Sequence, residues 1–175
     1  MTPGALGAVV YDRGDPVDEV LHQVARSAQA GGARVAGLVQ QDEAGQGCAQ
    51  TDMGLLDLAS GERLSICQNL GSGAQSCRID PRAMAEAGAR LARVLEVGAA
   101  GDRPDLVIVN KFGKLECEGG GLLAEIGLCV ALGVPLLVGV PRRFLPQWQA
   151  FAGEIGTALP CSPDAIEAWW RAAHT

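Results

Sequence analysis

The sequence has few lysines, few histidines and no long uninterrupted apolar run. Its 14 basic and 20 acidic residues give a net charge of −6, and the basic residues form no cluster larger than a short pair. A nucleic acid needs a continuous track of positive charge, so we expect no nucleic-acid partner. No stretch reaches the roughly 18 apolar residues of a membrane span, and the first residues lack a signal-peptide pattern. We therefore expect a cytoplasmic protein with no membrane span.

The six cysteines lack a metal-binding pattern. None belongs to a C-x-x-C pair and none has a neighbouring histidine, which argues against a zinc ribbon or a simple iron–sulfur motif. In a cytosolic protein we expect all six to be free thiols. Cys77 and Cys117 fall in predicted loops at helix starts, where the pKa of a thiol can fall. They are weak metal-ligand candidates, and inert thiols are the alternative.

The composition and the order of apolar segments predict the fold. Hydrophobic residues make up 48% of the chain, and the length fits a single α/β domain over residues 1–175. Apolar runs alternate with amphipathic stretches, which predicts a mainly parallel sheet in a three-layer arrangement. Two short apolar runs predict an inserted β-hairpin at about residues 50–70. Strands of the main sheet are expected at residues 6–11, 34–39, 106–109, 134–140 and 157–160.

Two predicted helices begin with the same pattern, an aspartate followed by proline. Asp15 and Asp80 are expected to cap these helices, with the proline in the first helical position. Ligands of parallel α/β sheets bind beyond the carboxyl ends of the strands. The loops that follow the strands are therefore the candidate binding regions, namely Asp12 to Asp15, Asn110 to Gly121 and Pro141 to Phe144.

The first of these loops carries no Walker A motif. In nucleotide-binding α/β proteins, G-x-x-x-x-G-K-[ST] holds the phosphates after the first strand, whereas this loop reads Tyr-Asp-Arg-Gly-Asp-Pro. The chain's one Gly-Lys pair, Gly113-Lys114, is followed by leucine. An acidic helix start that stabilises its own dipole is the expected role of the first loop. A metal site on the same aspartates is the alternative.

Both lysines of the chain lie in the second loop, at Lys111 and Lys114. Three consecutive glycines, Gly119 to Gly121, follow them at a predicted helix start. Backbone amides at such a junction form an anion nest, which nearby ammonium groups strengthen. We expect a nucleotide's phosphates or a molybdate-type oxyanion there. Alternatively, the glycines only permit a tight crossover, Lys111 pairs with an acidic group of the first loop, and Glu116 pairs with Lys114.

The segment that contains both lysines resembles two families. Its Phe-Gly-Lys-Leu-Glu at 112–116 is similar to the Ile-Gly-Lys-Met-Glu of THEP1-type P-loop nucleoside-triphosphatases, where an apolar strand ends in Asp-Glu. Over nearly the whole chain, the sequence resembles the bacterial DUF2478 family of unknown function. The shared motifs are Asn-Lys-Phe-Gly-Lys-x-Glu at 110–116 and Cys-x-x-Asp at 77–80. The resemblance implies a P-loop-NTPase-like fold. That family's association with molybdenum transport genes implies an accessory role in molybdenum uptake or handling.

Departures from the nucleoside-triphosphatase pattern favour binding over hydrolysis. In P-loop enzymes, an acid at the end of this strand helps to hold Mg²⁺ and a second acid orients the attacking water. Asn110 and Lys111 occupy these two positions and supply neither function. We therefore predict a non-hydrolytic binding or regulatory protein for a small anion, without catalytic residues. Its predicted ligand-binding residues are Asn110, Lys111, Gly113, Lys114, Glu116, Gly119, Gly120 and Gly121.

Two other function classes remain open from the sequence. One is a nucleoside-triphosphatase or nucleotide transferase that uses unorthodox residues. The other is a protein-interaction module, with a second copy of the chain or another protein as its partner. Trp148, Phe144 and Phe151 would then form a dimer contact, while the wall of a pocket and plain core packing are the other roles open to them.

Overall fold

The structure, a computed structural model, describes residues 5–44, 51–68, 78–97 and 100–174. No helix in these ranges is both long enough and apolar enough to cross a membrane. The α-helices are α1 (Val17–Ala30), α2 (Pro81–Glu96), α3 (Lys114–Cys117), α4 (Leu123–Leu132), α5 (Leu145–Ala152) and α6 (Pro163–His174). The strands are β1 (Leu6–Tyr11), β2 (Val35–Gln40), β3 (Glu43–Ala44), β4 (Thr51–Asp52), β5 (Gly54–Asp57), β6 (Arg63–Ser65), β7 (Cys67–Gln68), β8 (Arg78–Ile79), β9 (Leu106–Val109), β10 (Leu136–Pro141) and β11 (Gly156–Pro160).

The main sheet has seven strands in the order β11-β1-β10-β9-β2-β5-β6. The five strands from β11 to β2 are parallel. The hairpin β5–β6 then extends the sheet with antiparallel pairing. The predicted α/β class, the mainly parallel sheet and the inserted hairpin are confirmed. Two short antiparallel pairs, β3–β4 and β7–β8, accompany the main sheet.

Strand β9 shows why the sheet is covered on both faces. All four of its residues are fully buried. Leu106 and Ile108 pack with α1 and α6, whereas Val107 and Val109 pack with α2, α4 and α5. Successive side chains of a strand point to opposite faces, so a strand between two helical layers is apolar at every position. This explains the continuous apolar run of the sequence.

The two Asp-Pro helix starts fold differently. At α2, an Asp80 side-chain oxygen accepts a hydrogen bond from the Arg82 amide at 2.9 Å, as predicted. At α1, Asp15 makes no such bond, and the residue at the cap position is Pro16. Asp15 Oδ2 instead accepts from the Asp12 amide at 2.8 Å, within the preceding loop. The prediction that Asp15 caps α1 is therefore wrong, because its carboxylate closes the loop after β1.

The cysteines depart in part from the predicted free thiols. Cys117, Cys129 and Cys161 are free, but Cys67 is disulfide-bonded. The prediction of six reduced thiols is therefore wrong for Cys67. A disulfide requires two Cβ atoms brought within about 3.5–4.5 Å of each other, and spacing along the sequence does not reveal such an approach. Cys77, a weak metal-ligand candidate, lies outside the described residues.

Candidate functional site

The connections of β1 and β10 open a crevice at the carboxyl edge of the sheet. These strands are neighbours, but α1, which follows β1, packs on one face, and α5, which follows β10, packs on the other. Loops that part in this way mark the position where open α/β sheets bind ligands. The resulting cavity, the switch-point crevice, has a volume of about 510 Å³ and is lined by 11–15, 17–18, 40, 111 and 141–143.

The carboxylates of Asp12 and Asp15 accept hydrogen bonds in the loop after β1. Asp15 accepts the Asp12 amide, as described above. Asp12 in turn accepts from the guanidinium of Arg142, with 2.9 Å between Nε and Oδ1, and both residues line the crevice. In a phosphate-binding loop, the amides would face the ligand. Here the Asp12 amide donates to the carboxylate of Asp15, and the Arg142 guanidinium donates to the carboxylate of Asp12.

Asn110 joins the end of β9 to the start of α1. Its Nδ2 donates to Asp18 Oδ1 at 2.6 Å, and the side chain is buried at 4% exposure. Its Oδ1 is buried without a hydrogen-bond partner in the described part of the chain. Tyr11 lies nearby, and burial together with the charge of Asp18 raises its pKa to about 12. The tyrosine therefore stays protonated at neutral pH.

A second cavity, the apolar chamber, adjoins the crevice. Its volume is about 200 Å³. It shares Gln40, Lys111, Pro141 and Arg143 with the crevice, so these residues stand where the two cavities meet. The chamber lies between the hairpin, the start of α2 and the loop after β9. Its remaining lining residues are Met53, Leu55, Ile66, Ile79, Met84, Asn110, Gly113, Lys114, Leu115, Glu116, Leu122 and Phe144.

The loop after β9 is fastened on both sides of Lys111. The Asn110 amide donates to Leu38 of β2 at 2.9 Å, and the Phe112 amide donates to Gly139 of β10 at 2.8 Å. The Lys111 backbone is thus held between two strands, with its side chain at the junction of the cavities. In the described ranges, Lys111 and Lys114 take part in no ion pair. The alternative pairings of Lys111 with the first loop and of Glu116 with Lys114 are not formed there.

Glu116 organises the loop from inside. Its side chain is buried, with Oε1 accepting from the Gly113 amide at 2.9 Å and Oε2 from the Leu122 amide at 3.2 Å. It therefore ties the start of α3 to the start of α4. Burial raises the pKa of Glu116, while the two amides and the charge of Lys111 act in the opposite direction.

Two of the three glycines use their backbone amides within the chain. The Gly119 amide donates to the carbonyl of Glu116 at 3.2 Å, and the Gly120 amide donates to the carbonyl of Leu115 at 2.8 Å. Neither Gly119, Gly120 nor Gly121 lines the two cavities. The expectation of bare amides is therefore wrong for the first two, because the turn after α3 uses them internally. The structure instead brings together Asn110, Lys111, Gly113, Lys114 and Glu116.

The remaining candidates have structural roles in this region. Burial and the carboxylates of Glu116 and Glu118 raise the pKa of the Cys117 thiol, which disfavours the reactive thiolate. No group of three or more metal-ligating side chains occurs among the described residues. Trp148 is buried and contacts Phe112 edge to face, with 5.3 Å between ring centroids. It is a core residue.

The sequence did not predict the apolar chamber. It also did not predict that Arg143 lines the site. Arg143 lies in the short turn that follows β10, and its guanidinium carbon stands 4.9 Å from the centre of the Phe144 ring. The loop itself was a candidate, because it follows a strand. The chamber was not, because its walls come from the hairpin, α2 and α3, which become neighbours only in the folded sheet.

Comparisons with known proteins agree with this fold. A human cancer-related nucleoside triphosphatase, solved in solution, superposes with a TM-score of 0.66 over 97% of this chain and 94% of that one, at 11% identity. At such low identity, the superposition shows a shared fold and nothing more. The molybdenum import ATP-binding protein ModC 2 of Bradyrhizobium diazoefficiens is 39% identical over 170 residues. The match covers 97% of this chain but 18% of that relative, so this chain spans less than a fifth of its length.

The family model for a protein of unknown function, DUF2478, matches residues 6–169. The match runs from β1 into α6 and includes the loop with both lysines, the hairpin and the turn that carries Arg143. The chain therefore belongs to the DUF2478 family.

Proposed function

We propose that the chain is a non-hydrolytic binding protein for a small anion, with a regulatory or accessory role in molybdenum handling. The observation that carries the proposal is the junction of the two cavities. Lys111 and Arg143 line both of them, and Lys114 lines the chamber beside them. Three cations without a carboxylate ion pair among the described residues supply charge-assisted hydrogen bonds to an oxyanion.

The name of the ModC 2 relative supports molybdenum as the context. Molybdate is a tetrahedral dianion, and such an anion suits ammonium and guanidinium donors that converge at the carboxyl edge of a sheet. Since the match covers 18% of that relative, the ATP-binding activity in its name need not belong to the matching segment. The proposal therefore places the anion on this chain and leaves nucleotide chemistry elsewhere.

Anion binding is tested by titration calorimetry with molybdate, phosphate and sulfate at low salt. Replacing Lys111 by glutamine removes one charge-assisted contact, which is worth about 1.5–3 kcal/mol. We expect affinity to fall roughly ten- to hundredfold. Arg26→Gln is the matched control, because Arg26 is an exposed cation on α1 and its loss changes the net charge equally. Equal weakening by both substitutions would point to nonspecific attraction and contradict the proposal.

A nucleoside-triphosphatase is the second candidate, favoured by the structural match to a nucleoside triphosphatase. Against it, the loop after β1 is closed by Asp12 and Asp15, and Asn110 ends the strand where P-loop enzymes carry an acid that holds Mg²⁺. We expect no Mg²⁺-dependent phosphate release from ATP or GTP above background. Turnover that persists through repurification and is lost in Lys114→Ala would favour the second candidate.

A further inference from the structure

The apolar chamber has a lining that an inorganic oxyanion does not need. Besides Pro141, eight of its residues carry apolar side chains, contributed by the hairpin region, α2, α3, the start of α4 and the turn after β10. A hydrated oxyanion gains nothing from such walls, because transfer of a charge to apolar surroundings is unfavourable. The residues concerned are Met53, Leu55, Ile66, Ile79, Met84, Leu115, Leu122 and Phe144.

The cations stand at one end of this chamber. Lys111 and Arg143 also line the switch-point crevice, and Lys114 is exposed, whereas Leu55 and Leu122 are buried at 3% and 2% exposure. The cavity is therefore amphipathic: its mouth is positively charged and its interior is mainly apolar, and the buried Glu116 carboxylate that also lines it is held by two backbone amides. This division matches a ligand that has an anionic group attached to an apolar body.

The volume limits the size of that body. An apolar protein cavity of about 150 Å³ is known to hold benzene, whereas pockets for drug-sized ligands measure about 300–1,000 Å³. The chamber, at about 200 Å³, lies between these values. It accommodates one six-membered ring or a branched alkyl group of similar size.

We infer that the ligand is a small organic anion, with its phosphate-like group at Lys111 and Arg143 and a ring-sized apolar body in the chamber. The inference rests on the proposed anion site and specifies the class of anion that this site prefers. The chamber then contributes the part of the binding free energy that depends on apolar burial.

The test compares phenyl phosphate with inorganic phosphate by titration calorimetry on the full chain. Burying a phenyl ring is worth about as much as burying a phenylalanine side chain, so phenyl phosphate should bind about ten- to hundredfold tighter. Met84→Trp places a larger side chain in the chamber from its half-buried wall. We expect this variant to lose the preference for phenyl phosphate and to bind inorganic phosphate as the unmodified chain does.

Leu115→Phe narrows the same chamber from α3. It replaces Met84→Trp in this test if Met84→Trp does not unfold cooperatively. Equal affinity for the two phosphates would overturn the inference and leave the anion site intact. A preference for phenyl phosphate that survives both substitutions would also overturn it, because the ring would then lie elsewhere. If neither phosphate binds, the proposed function itself fails.

Discussion

Replacing Gly37 by alanine is expected to lower the free energy of unfolding by at least about 3 kcal/mol, a large share of the roughly 5–15 kcal/mol of an ordinary domain. Gly37 lies in β2 opposite Ile108 of β9 and has a φ of +128°. A Cβ there would overlap the carbonyl oxygen of Ile108 and lie 2.7 Å from its nitrogen. Both obstacles are backbone atoms of the central strand, which cannot move aside as a side-chain tip does.

Gly127→Ala is the matched control for this prediction. Gly127 lies inside α4, and a Cβ there would meet nothing within 4 Å. Alanine in an open helical position usually adds about 0.5–1 kcal/mol of stability. Urea unfolding followed by circular dichroism should therefore show opposite signs for the two substitutions. A Gly37→Ala protein that loses less than about 1 kcal/mol would contradict the description of this strand pairing.

The main sheet was predictable because burial on both faces leaves a continuous apolar run, as at Leu106–Val109. The helix start at Asp80 was also predictable, since the local pattern and the final hydrogen bond agree. Asp15 shows the limit of the same pattern. Its carboxylate had a nearer backbone donor at Asp12, and only the path of the loop decides between the two donors.

The two lysines of the candidate site were predictable from the sequence, whereas Arg143 and the chamber were not. Lys111 and Lys114 could be predicted, because they follow a buried strand and are the chain's two lysines. The glycines after them were misleading, since a glycine run predicts conformational freedom but not which carbonyls the amides reach. The contribution of Arg143 and the chamber depends on the order of strands in the sheet. That order is a property of the whole fold.

Replacing Glu116 by alanine is expected to cost about 2–6 kcal/mol of stability, because the buried amides of Gly113 and Leu122 each lose a partner at about 1–3 kcal/mol. The same change frees the loop that carries Lys111 and Lys114. We therefore expect weaker anion binding together with a lower urea midpoint. Glu118→Ala is the matched control, since Glu118 is an exposed carboxylate two residues along, and it should leave both quantities nearly unchanged.

Glu116→Gln separates the carboxylate's shape from its charge. The glutamine side chain fills the same space and removes a buried charge that is costly to desolvate, but it keeps one acceptor oxygen and turns the other into an NH2 donor that faces a backbone amide. We expect Glu116→Gln to cost about 1–3 kcal/mol at neutral pH, because one of the two backbone amides loses its acceptor, and therefore to be less unstable than Glu116→Ala. A glutamine variant as unstable as the alanine variant would show that the loop needs both side-chain oxygens as hydrogen-bond acceptors.

The pH dependence of stability, compared between the unmodified chain and Glu116→Gln, tests whether folding raises the pKa of Glu116. Burial raises that pKa in the folded chain, so the folded state holds the proton at pH values where the unfolded chain, with a pKa of about 4.3, has released it. More protons are then bound in the folded state, and stability falls as pH rises through this window. Glu116→Gln has no titrating group there, so its stability relative to the unmodified chain should increase from about pH 4.3 upward. Urea midpoints measured across this range decide the matter, because a relative decrease would mean that the two amides and Lys111 outweigh burial and lower the pKa.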